Sequence, residues 1–127
     1  MPLCRPHFSQ FQHQDPAINA LREKVRYATE EDNPGLVLLW LSAEETSLNN
    51  DMEAARVLFH AQYQLLLDTL ADDLIPSHWR LWCLDNIYRP LQGLSRLAGT
   101  AKQQADLRSL LMELRLTTQY CRTALHQ

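Results

Sequence analysis

Glycine is scarce in this chain: Gly35, Gly93 and Gly99 are all that 127 residues contain. Three scattered glycines cannot build a Gly-rich phosphate loop, so that chemistry is excluded at once. Isoleucine and valine are almost as rare, with only Ile18, Ile75, Ile87, Val25, Val37 and Val57. β-Branched side chains pack best on a pleated sheet, and no segment alternates with period two, so a sheet is not expected. No apolar run approaches the ~18–20 residues that span a bilayer. The longest runs from Leu36 to Leu41. Lysine is also thin, two against ten arginines, and the net charge is −3; both weigh against nucleic acid as the partner. The His-Glu-x-x-His of zincins and the Glu-x-x-His of di-iron bundles are absent.

What the chain has instead is leucine, at 24 positions. An unbranched side chain keeps its rotamer freedom in a helix, so a leucine-built core is a helical core. The clearest pattern is near the end, where Leu107, Leu111, Leu114, Thr118, Cys121 and Leu125 recur in steps of four and three. The expected fold is all-α, an antiparallel helical bundle of four long helices plus shorter helical pieces. The length fits one domain, residues 15–127, preceded by an irregular N-terminal arm over residues 1–14.

Local signals place the helices. Asp15-Pro16 reads as an N-cap with proline at the first helical position, opening a helix to about Thr29. The acidic Glu30-Glu31-Asp32 suits a turn better than a helix C-terminus. Asn33-Pro34 repeats the cap signal before Leu36–Leu41, which is expected to be buried on most sides. Asn50 and Glu53 approximate a capping box for a third helix. Ser77 opens a fourth through Tyr88, and Pro90 demands a kink or break after Arg89. Thr100 with Gln103 forms a capping box for a final helix of about 25 residues.

The reactive residues form no catalytic constellation. Cys4, His7 and His13 include zinc-ligand types but lack a fourth partner at recognisable spacing. Cys83 and Cys121 fall on apolar faces and read as small core residues. His60 lies on a polar face, and His78 is seven residues from Asp85, too far for a direct pair. No metal or cofactor is expected. The odd, scattered cysteines favour a reducing compartment over a disulfide framework. With no apolar leader in Met1-Pro2-Leu3-Cys4-Arg5-Pro6, the expected location is cytoplasmic.

Charge is uneven. Residues 1–73 carry 12 acids and 5 bases, and residues 74–127 carry 3 acids and 7 bases. Neutralisation between the halves, inside the fold or across a dimer, explains this most simply. Two surfaces nevertheless break the pattern. Trp82 points among His78, Asp85, Asn86 and Arg89, with Trp79 at the edge, and aromatic-plus-arginine sets are enriched where partners bind. Trp79, Trp82 and Arg89 are therefore candidate partner-binding residues. The final helix carries a second stripe, Met112, Leu116 and Tyr120, beside Arg108, Arg115 and Arg122. These six are candidates for a dimer or partner interface, since charges flanking an apolar seam select partner helices. The chain is thus expected to be a small regulatory protein acting on another protein through helix faces, as an anti-activator, adaptor or chaperone does, and to form a homodimer. The alternatives are a nucleic-acid-associated regulator using the arginine-rich half, and a helical-bundle enzyme with an unrecognised site.

Overall fold

The computed structural model describes residues 11–125. Among these residues there is no strand, and six helices follow in order. They are α1 (Pro16–Tyr27), α2 (Gly35–Thr46), α3 (Met52–Leu70), α4 (Ser77–Asn86), α5 (Tyr88–Leu97) and α6 (Ala101–Leu125). The expectation of four long helices meets a different distribution. Only α3 and α6 are long, at 19 and 25 residues, and the other four have 10 to 12.

The reason is visible at the breaks. Ala28 takes a left-handed conformation (φ 53°), and its N–H returns to the Lys24 carbonyl, which closes α1. The break near Pro90 falls at Ile87, earlier than Arg89. Pro90 then sits in the first turn of α5, where a missing N–H costs nothing.

Two start signals are realised as read. Asp15 accepts from the Ala17 N–H at 2.9 Å. Thr100 Oγ1 accepts from the Gln103 N–H at 3.1 Å, while Gln103 Oε1 accepts from the Thr100 N–H at 3.2 Å. Three others shift by one residue. Asp51, not Asn50, caps α3 by accepting from the Glu53 and Ala54 N–H groups. Pro34 and Pro76 precede α2 and α4, and neither Asn33 nor Ser77 makes a side-chain cap.

The core forms around α3, which packs against α1, α4, α5 and α6, while α2 packs on α1 and α4. From Leu58 to Leu70 most α3 side chains are buried, including the polar Gln62, Gln64 and Thr69. Val25, Val37, Trp40, Leu41, Tyr63, Leu66, Leu70, Trp79 and Ile87 are wholly enclosed. The Leu36–Leu41 run is buried on one face only. Leu36, Val37, Trp40 and Leu41 point inward, and Leu38 and Leu39 are exposed. A smaller cluster of Ala55, Phe59 and Leu94 joins α3 to α5, with Leu107 and Leu110 of α6 packed on it. Of the expected arm, residues 1–10 lie outside the described residues. Residues 11–14 have no helix and are tied to the body at His13 and Phe11.

Candidate interaction surface

Among the described residues, α6 turns a narrow edge toward the body. That edge consists of Leu114 and Cys121, both buried, flanked by the half-buried Leu107, Leu110, Thr117 and Thr118. Polar contacts fasten it along its length. The Tyr63 hydroxyl reaches the Leu110 carbonyl (2.9 Å) and the Glu113 carboxylate (3.0 Å). Farther along, the Cys121 thiol donates to the Leu70 carbonyl at 3.4 Å, and Arg80 Nε donates to the same carbonyl at 2.8 Å. Burial, then the nearby Glu113 carboxylate, push the Tyr63 phenol well above its ordinary range, so it stays a neutral donor.

Most other described side chains of α6 face outward. Met112, Leu116 and Tyr120 are 52%, 60% and 62% exposed, as the opposed-stripe pattern implied. Leu111, expected in the core stripe, is also exposed. It lies about 60° from Leu114 around the helix, enough to carry it past the narrow contact edge. Arg108, Arg115 and Arg122 are exposed between these apolar positions. Together with Leu111, Met112 and Tyr88 of α5 they line a groove of about 670 Å³.

Internal neutralisation does not extend to this groove. The cross-half ion pairs are Arg89 with Glu45 (2.9 Å) and Arg80 with Asp73 (3.5 Å), and His78 Nε2 lies 3.1 Å from the Glu31 backbone carbonyl oxygen. Other acids are engaged within the first half: Glu44 with Arg22, Glu30 with Lys24, and Asp72 with Arg26. At Asp72 burial opposes ionisation, but the Arg26 hydrogen bond, the Leu74 amide and the Arg26 and Arg80 charges together hold its carboxyl below the usual range. Arg108, Arg115 and Arg122 form no ion pair among the described residues.

The tryptophan set is divided by the structure. Trp79, expected at the edge of a binding surface, is wholly buried, and its Nε1 donates to the Val25 carbonyl at 2.8 Å. It is a core residue, unable to touch a partner in the folded chain. Trp82 is half-buried, edge-on to Trp79 at 5.6 Å and to His78 at 5.2 Å. Arg89 is half-buried and spent on Glu45. These three residues therefore do not form one exposed patch.

One polar cluster escaped the sequence reading. Arg22 donates to Glu44 (2.8 Å), Gln62 Nε2 donates to the other Glu44 oxygen (3.2 Å), and all three side chains are buried. The signal was present: Arg22 stands four residues after Ile18, and Glu44 four after Trp40, both in phase with the core. A second hollow, about 310 Å³ and mostly apolar, lies where α3, α5 and α6 meet, and Leu94, Leu107, Leu110, Arg56 and His60 are among the residues that line it.

Cys4 and His7 lie outside the described residues. His13 Nε2 is 2.9 Å from the Ser47 hydroxyl. Among the described residues no three His, Cys, Asp or Glu side chains converge as metal ligands, and no helix is long and apolar enough to cross a membrane. Comparison with family models, curated proteins and solved structures returns no match. The fold and its surface define a class, an all-helical protein with one long peripheral helix that carries apolar residues on its outer side.

Proposed function

We propose that this chain is a protein-binding regulatory module, of the adaptor, anti-activator or chaperone kind, that holds another protein on the outer face of α6. The observation that carries the reading is the exposed row Leu111, Met112, Leu116 and Tyr120 beside three arginines that form no ion pair among the described residues. An exposed apolar row rimmed by charge is the usual mark of a protein interface. The helices are read as a variant of the antiparallel bundle, wrapped around α3 with α6 as its peripheral member. No catalytic step, metal or cofactor enters the reading. The buried, unpaired thiols of Cys83 and Cys121 support a reducing compartment such as the cytoplasm.

Self-association through α6, the homodimer expected from the sequence, competes for the same face. Charge argues against its symmetric form. An antiparallel two-fold contact centred on Arg115 sets that residue against its own copy and Arg108 against Arg122. A different protein is the better occupant.

A photo-cross-linking residue at position 116, in the full chain in its native cell, tests the reading. The expected result is one discrete adduct from position 116 and none from position 39, whose leucine is 56% exposed on α2. No adduct from 116, or the same adduct from both positions, would overturn it.

A further inference from the structure

We infer that the α6 groove receives an acidic amphipathic helix, with an apolar stripe and carboxylates repeating every seven residues. The inference rests on the reading of α6 as a protein-binding surface and adds the chemistry of what binds. Arg108, Arg115 and Arg122 are spaced by seven, so their Cα atoms lie about 10.5 Å apart in a nearly straight row. Two packed helices repeat their contacts with a seven-residue period, and this row is in register with such a partner. A guanidinium presents a planar fork of donors that matches a carboxylate, and arginine outnumbers lysine three to none in the row.

The apolar lining decides between polyanions. Leu111, Met112 and Tyr88 share the groove with the arginines, and a helix with an apolar stripe covers both kinds of surface. A phosphate backbone satisfies the arginines and leaves those three side chains wet. A flat bilayer surface does not follow a groove that runs between α6 and Tyr88.

A second copy of this chain does not supply the complement either. Two acids stand seven apart on one helix only in α6 itself, at Asp106 and Glu113. There Asp106 is paired with Lys102 at 3.1 Å, and Glu113 is bound by the Tyr63 hydroxyl.

The test uses the full chain and three fluorescent helical peptides of about 21 residues, sized to three heptads. The first has a leucine stripe with flanking glutamates every seven residues. The second has the same composition with the glutamates moved to the opposite face, and the third has lysines in place of glutamates. A DNA duplex of about 20 base pairs and phosphatidylserine vesicles serve as phosphate probes. By anisotropy, the first peptide should bind at least about tenfold more tightly than the second, and the third should not bind. The triple variant Arg108→Gln/Arg115→Gln/Arg122→Gln, with unchanged melting temperature, should lose about tenfold or more, the sum of three modest pairs. Equal binding of the first two peptides, indifference to the triple variant, or tighter binding of duplex or vesicles would overturn the inference. So would a dimer in light scattering that the first peptide does not dissociate. If all peptides fail while position 116 still cross-links one protein, the partner's chemistry is wrong and the reading of α6 stands. If both fail, both fall.

Discussion

Arg22 and Glu44 are opposite charges removed from water, hydrogen-bonded to each other, Gln62 and the Ala61 carbonyl, with the Phe11 and Trp40 rings against the guanidinium. Such a pair stabilises little relative to apolar residues, but breaking it strands a buried charge at about 3–5 kcal/mol. Arg22→Leu should lower the unfolding free energy in urea by that amount. Arg22→Leu/Glu44→Leu should recover most of the loss, and equal losses in the single and double variants would show that the Arg22 stem matters more than its charge. Cys83 makes a second residue-scale case. Burial pushes its thiol up to about 12, against a weaker downward pull from Arg26. The folded state therefore holds this proton more tightly than the unfolded chain, where a thiol titrates near ~8.5. The stability is present in full below that pH and is lost as pH rises toward 12. Melting temperature should decline over this window, and Cys83→Ala should flatten the decline even if its neutral-pH value is lower.

Among the elements, α3 and α5 are in close contact at Gly93. A Cβ built there would lie 2.6 Å from two ring carbons of Phe59. Alanine favours a helix over glycine by about 1 kcal/mol, but a clash that close forces a buried ring to move. Overpacking of this kind costs about 1–3 kcal/mol, so the steric term should win and Gly93→Ala should destabilise. Adding Phe59→Leu should relieve the clash, and a stabilised Gly93→Ala would contradict the packing. Nothing in the sequence distinguishes Gly93 from the exposed Gly99, because its role depends on a ring 34 positions away. The same limit explains what was legible. Asp15-Pro16 and Thr100/Gln103 work through neighbours in sequence and were readable. The burial of Trp79 was not, because the Val25 carbonyl that anchors its indole comes from another helix. Helical phase showed which α6 residues oppose one another, but not that α3 would take the central place.

For the molecule as a whole, the decisive question is which way α6 faces, because the functional reading depends on it. Leu114 and Leu116 are two residues apart, about 200° around the helix, and they should behave oppositely. Leu114 is 3% exposed and belongs to the core, so Leu114→Ala should cost about 2–5 kcal/mol of unfolding free energy. Leu116 is 60% exposed and projects away from the body, so Leu116→Glu should change stability by no more than about 0.5 kcal/mol. If the outer face holds a partner, the same glutamate should reduce binding strongly, by placing an unpaired charge in a dry contact. An acidic partner would also repel it. Denaturant titration and binding of the acidic peptide, made on the two variants together, separate the possibilities. Lost stability in Leu116→Glu would return that stripe to the core and remove the basis for the interface. Intact stability with undiminished binding would take the partner off the Leu116 stripe and confine it to the groove between α6 and Tyr88. Intact stability with binding lost is the outcome expected of a helix fastened along one edge by Leu114 and Cys121, with its opposite face offered to another protein.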